Sequence, residues 1–131
     1  MLKVLFVCVE NAGRSQMAEA FTNHYGKGKV EAQSAGTMPS KEVNQTVVQV
    51  MQEKGIDISK SKPKLINNQM VLEADKIIVM GCEAGGFCPA PLLNKVVDWG
   101  IEDPKGKPIE KVRQIRDEIE IKVKKLIEEI A

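Results

Sequence analysis

The feature that most constrains this chain is a single junction near its start. Leu2 to Val9 is an apolar run broken only by Lys3 and rich in β-forming residues, the pattern of a strand buried on both faces in a parallel sheet. A polar turn, Glu10-Asn11-Ala12-Gly13-Arg14-Ser15, follows at once. Met17, Ala18, Phe21 and Tyr25 then recur at helical spacing up to Gly26. A buried strand feeding through a short turn into an amphipathic helix opens a βαβ unit, so a parallel sheet covered by helices is expected.

The rest of the chain keeps the alternation. Lys29 to Ala35 reads as a second strand, with Ser34 near its end. Val43, Val47, Val50 and Met51 form a second helical stripe, stopped by Gly55. Ser59 to Lys64 is a polar loop, and a short helix is predicted over Asn67 to Glu73. Asp75 to Met80 is a third buried strand ended by Gly81, and Lys95 to Trp99 a shorter fourth. Pro108 suits the first turn of a last helix, whose stripe is Val112, Ile115, Ile119, Val123, Leu126 and Ile130 with charges on the other face. No repeat, low-complexity segment or linker divides the sequence. It reads as one domain, 1–131, of α/β class, with a four-stranded parallel sheet and helices on both faces.

In such folds the site lies beyond the carboxyl ends of the strands, and Cys8, Ser34, Cys82 and the loop after Trp99 all fall there. The net charge of +1 gives no overall attraction to nucleic acid or to a membrane, so an anion site has to be local. The apolar start is too short for a secretory signal, and no run approaches the roughly 20 apolar residues of a spanning helix. A cytoplasmic location is expected. There the three cysteines are a poor disulfide framework and read instead as buried, metal-bound or reactive thiols.

The loop itself favours reactivity. Between a strand and a helix start, the backbone N–H groups of Val9, Glu10, Asn11, Ala12 and Gly13 can turn inward and cradle a tetrahedral oxyanion, aided by the helix dipole. Arg14 at the rim can fork two N–H donors onto it. The same field favours the thiolate of Cys8. Ser15 can donate to that sulfur, and Asn11 can brace a strained backbone. The rival reading is a structural cysteine ending a strand beside a surface arginine. A lysine-type phosphate loop is excluded, because no Gly-Lys-Ser/Thr follows. Cys8, Cys82 and Cys88 could supply thiolates to a metal, but no close-spaced pair exists and His24 sits on the outer region of the first helix. Neither a metal nor a cofactor is expected.

Cys8, five residues, Arg14 and Ser15 resemble the signature of the low-molecular-weight protein tyrosine phosphatase superfamily, and the likeness runs through nearly the whole chain. It implies that family's fold and assigns Asp103, in the pair Asp103-Pro104, as general acid. The run Arg14-Ser15-Gln16-Met17-Ala18-Glu19 resembles the thioredoxin-coupled arsenate reductase branch. The phosphatases usually carry proline where Gln16 stands and an aromatic residue where Lys105 follows Pro104. Cys82 and Cys88 resemble the redox segment of those reductases, although there the two cysteines usually stand one position farther apart. Six residues of helix separate two α-carbons by about 9 Å and a disulfide needs them within about 7 Å, so a helical segment would have to unwind. Gly81, Gly85 and Gly86 make that easier.

The resemblance implies a monomer that binds arsenate in the 8–15 loop and reduces it to arsenite through Cys8. A Cys8–Cys82 disulfide then passes to Cys82–Cys88 for reduction by thioredoxin. The alternatives are a phosphotyrosine or phosphomonoester phosphatase with Cys8 as nucleophile and Asp103 as acid, and a thiol module without catalysis. Some related reductases also hold a potassium ion behind the loop, on residues like Asn11, Glu19 and Ser34 plus a carboxylate. Lys64 aligns with that carboxylate, and its ammonium is expected to take the ion's place.

Overall fold

The computed structural model describes residues 1–81 and 96–130. Its elements are β1 (Leu2–Cys8), α1 (Arg14–Tyr25), β2 (Val30–Gly36), α2 (Gln45–Gln52), α3 (Asn68–Glu73), β3 (Lys76–Val79), β4 (Val96–Asp98) and α4 (Ile109–Ile130). The four strands form one parallel sheet in the order β2-β1-β3-β4. Cys8 pairs with Gly36 and Val7 with Val79, so the first three strands finish at one edge of the sheet.

The period-two alternation of β1 divides the core. Val4, Phe6 and Cys8 join the larger apolar cluster with Met17 and Phe21 of α1, Val47 and Val50 of α2, and Ile119 and Val123 of α4. Leu5 and Val7 face the other way, with Ala35 and Ile77, under Ile66, Met70 and Val71 around α3. Helices therefore cover both faces, as a doubly buried strand requires. Side chains such as Phe6 and Phe21, both fully buried, each contribute about 1.5–3 kcal/mol of burial.

Two details differ from the periodic reading. Val43 is buried but precedes α2, because Asn44 caps that helix by accepting from the N–H groups of Thr46 and Val47. The polar side of α4 is also not wholly solvated. Arg116 is buried and donates to the Val50 carbonyl at 3.0 Å and to Glu53 Oε1 at 2.7 Å. Glu120, likewise buried, accepts from Tyr25 Oη at 2.5 Å and pairs with Lys54 at 3.1 Å. These partners explain how two charged side chains sit on a helix's core side. Tyr25, placed by its spacing on the apolar stripe of α1, is exposed, with its hydroxyl on Glu120. Among the described residues no helix is long and apolar enough to cross a membrane.

Candidate active site

β1 delivers Cys8 to the sheet edge, 5 % exposed, and α1 starts six residues later at Arg14. The connection closes tightly because Asn11 adopts φ 53°, a left-handed conformation that asparagine tolerates better than most residues. Six successive carbonyls are engaged by donors from neighbouring segments. Those of Cys8, Val9, Glu10 and Ala12 accept from the N–H groups of Thr37, Met38, Ser40 and Asn44, that of Gly13 from Met17, and that of Asn11 from Gln16 Nε2. With its acceptors occupied, the loop is left with N–H groups as its remaining backbone polar atoms. The first turn of α1 has no acidic residue and no side-chain cap, and the positive end of a helix dipole can favour an anion there.

Cys8 Sγ lies 2.8 Å from Ser15 Oγ and 3.2 Å from the N–H of Asn11. Asn11 Nδ2 donates to Ser15 Oγ at 2.7 Å, which leaves the Ser15 hydroxyl hydrogen for the sulfur. Two donors are thus aimed at one sulfur. Gly36 permits this arrangement from the β2 side: a Cβ there would stand 2.5 Å from the Val9 carbonyl oxygen and 3.0 Å from the Asn11 nitrogen.

Arg14 was expected at the rim but is 3 % exposed, because its Nη1 is drawn onto the Ile101 carbonyl at 2.8 Å. Its Nη2 stands 3.9 Å from Asp103 Oδ2. The 101–105 loop thus brings its acid to the Cys8 site, and Pro104 packs where a Cβ on Gly13 would meet it at 3.0 Å. Lys105 bridges to Glu10 at 2.8 Å, and that hydrogen bond, with the carboxylate's charge, raises the Lys105 pKa above its ordinary value. A cavity of about 260 Å³ opens above Cys8. Its walls include residues that the sequence reading missed, Ser40, Glu42, Asn44 and Gln45. Only the capping residue Asn44 offered a signal, as the start of a second helix aimed at the site. Among the described residues, no aromatic side chain lines the cavity.

Behind the loop, Glu19 Oε1 accepts from Ser34 Oγ at 2.6 Å and lies 3.5 Å from Lys64 Nζ. Asn11 Oδ1 accepts from the Lys64 N–H at 2.8 Å and from Gln16 Nε2 at 3.2 Å. These oxygens already face O–H, N–H and ammonium donors, surroundings that do not fit a potassium ion. Among the described residues no group of three His, Cys, Asp or Glu side chains could hold a metal, and His24 is exposed on α1. Cys82 and Cys88 lie outside the described residues. β3, which leads towards them, finishes at the same sheet edge as Cys8.

Comparison with known proteins agrees with this geometry. The chain is 37 % identical to a glutaredoxin arsenate reductase from Synechocystis, over the whole of both chains. A solved arsenate reductase in its phosphate-binding state superposes with TM-score 0.89 at 36 % identity, again over all of both chains. A thioredoxin-dependent arsenate reductase from Corynebacterium glutamicum superposes with TM-score 0.83 at 35 % identity, over 99 % of this chain and 62 % of that one. Residues 3–131 match the family described as low molecular weight phosphotyrosine protein phosphatase, and the chain belongs to that family.

Proposed function

We propose that this chain is an arsenate reductase with Cys8 as its nucleophile. The carrying observation is Cys8 Sγ held by Ser15 Oγ and the Asn11 N–H beneath a loop whose carbonyls are all engaged elsewhere. Arsenate occupies the cradle, with Arg14 donating to its oxygens. The Cys8 thiolate forms a sulfur–arsenic bond as one oxygen, protonated by Asp103, leaves as water. Cys82 then attacks the Cys8 sulfur. The sulfur–arsenic pair stays on arsenic, which departs as arsenite, and a Cys8–Cys82 disulfide forms. Cys88 attacks Cys82 and carries the disulfide to Cys82–Cys88, where an external dithiol reduces it. Thioredoxin is the proposed reductant, the cytoplasm the place of action, and a monomer the acting form.

Phosphomonoester hydrolysis is the second reading. It uses the same cradle, nucleophile and acid, since phosphate and arsenate share shape and charge, and the family description favours it. Against an aryl phosphate stands the lack of an aromatic wall among the described residues. The test is arsenate-dependent oxidation of NADPH through thioredoxin and thioredoxin reductase, with a parallel glutathione and glutaredoxin arm. Turnover in the first arm, abolished by Cys8→Ser and by Arg14→Ala, supports the reading. Turnover in the glutaredoxin arm alone replaces the reductant, and none in either arm with retained aryl phosphate hydrolysis makes the chain a phosphatase.

A further inference from the structure

Gln16 is the third residue of α1 and is 2 % exposed. A primary amide is costly to bury unless its hydrogen bonds are met. Its Nε2 faces three oxygens: the Asn11 carbonyl at 3.1 Å, Asn11 Oδ1 at 3.2 Å and the Lys62 carbonyl at 3.3 Å. Only the NH₂ end of the amide can meet three acceptors, so its orientation is fixed by its surroundings. The same reasoning passes to Asn11. Its Oδ1 is turned to Gln16 and to the Lys64 N–H, so Nδ2 is the atom on Ser15 Oγ. Ser15, with a lone pair occupied, presents its hydrogen to Cys8 Sγ.

We propose that Gln16 is a positioning residue for Cys8, acting through Asn11 and Ser15. It locks the direction of the hydrogen bonds that end on the sulfur, and it clamps the left-handed Asn11 backbone to Lys62. The 62–66 segment is fixed in turn: the Gly36 N–H donates to the Lys64 carbonyl at 2.7 Å and the Ile66 N–H to the Gly36 carbonyl at 2.9 Å. Gln16 thus ties the anion loop to the segment that pairs with Gly36 at the end of β2. Without it, Asn11 Oδ1 keeps one donor and its amide can turn over, which would leave Ser15 free to point its hydrogen away from Cys8. The inference rests on Cys8 being the nucleophile, but not on which oxyanion it attacks.

The test measures iodoacetamide alkylation of Cys8 against pH, by intact mass. The background carries Cys82→Ser and Cys88→Ser, so that Cys8 is the sole thiol of the three. Gln16→Met keeps the length and removes the donors, and Gln16→Asn keeps an amide too short to span Asn11 and Lys62. The charged groups around Cys8 stay the same in both: Arg14, Glu10, Glu42, Asp103 and Lys105 line its cavity, and Glu19 and Lys64 pair behind the loop. A shift therefore reports the hydrogen-bond chain. In Gln16→Met the alkylation midpoint should rise by about one pH unit, a tenfold fall in thiolate share on the acid side. The plateau rate at high pH should be kept, and Gln16→Asn should shift in the same direction. A lowered melting temperature with an unmoved midpoint in either folded variant overturns the proposal. If Gln16→Met does not fold, Gln16→Asn decides. Failure of arsenate turnover in the parent chain would touch the proposed function and leave this result standing.

Discussion

Arg14 Nη2 and Asp103 Oδ2 stand 3.9 Å apart, while the other guanidinium nitrogen, Nη1, is held by the Ile101 carbonyl at 2.8 Å. One short loop therefore anchors the Arg14 guanidinium through Ile101 and carries Asp103 two residues later. The 3.9 Å separation is too long for a hydrogen bond, so the carboxylate is near the guanidinium without being locked onto it. Asp103 is half exposed and lines the cavity that opens on Cys8.

That relationship makes Asp103 separable from binding. Asp103→Asn should lower single-turnover arsenate reduction by roughly 100-fold, the scale of lost general acid catalysis, with little change in melting temperature. An unchanged rate with an unchanged pH profile would take Asp103 out of the mechanism and leave it a turn residue accepting from the Lys105 N–H.

Gly36 is a second point of leverage. A methyl there meets backbone on the anion loop, at 2.5 Å and 3.0 Å, where no flexible side chain can give way. Gly36→Ala should cost on the order of 1–3 kcal/mol, as overpacking does, and should raise KM for the oxyanion. Denaturant unfolding beside steady-state kinetics checks this, and a variant normal in both would mean that the loop shifts freely.

The ion cluster joining α2 and α4 sets a pH signature away from the site. Hydrogen bonds from Arg113 and Arg116 hold the Glu53 pKa down at about 2, below its ordinary 4.5. A depressed carboxylate contributes stability that is fully present above its unfolded pKa and is lost as pH falls through the folded one. The wild-type chain should therefore lose stability more steeply than Glu53→Gln between about pH 4.5 and about pH 2. Parallel curves in that window would show that the pair contributes nothing.

Lys64 predicts an ion response. With its ammonium 3.5 Å from Glu19, arsenate turnover should be equal in potassium and sodium at constant ionic strength, and Lys64→Asp should introduce a preference for potassium. Activation of the unaltered chain by potassium would count against the ammonium as the ion's substitute.

The strands and helices were legible because β1 is an apolar run broken only by Lys3 and the α1 and α4 stripes carry the helical period. Cys8, Arg14 and Ser15 were legible because they share one strand-loop-helix junction. The bracing was not. Lys62 and Lys64 sit in a run that composition marks only as polar, and their contacts to Gln16 and Asn11 run through backbone groups, which a side-chain pattern cannot express. Arg14 was misplaced at the rim for a similar reason: its partner is the carbonyl of Ile101, 87 positions away. The buried Arg116 and Glu120 broke the polar-side rule for α4 because tertiary partners satisfy them.

If arsenate is reduced through the proposed relay from Cys8 to Cys82 to Cys88, Cys88→Ser is the decisive variant. In the proposed relay Cys88 acts only after Cys82 has formed its bond, so this variant should complete about one turnover, release arsenite and stop. The measurement is peptide mass spectrometry after arsenate treatment without reductant. The predicted result is a Cys8–Cys82 linked peptide in near-stoichiometric yield, dependent on arsenate and absent with phosphate. Continued turnover by Cys88→Ser with thioredoxin as sole reductant, and no Cys8–Cys82 peptide, would contradict the relay and leave phosphomonoester hydrolysis as the better account of the site.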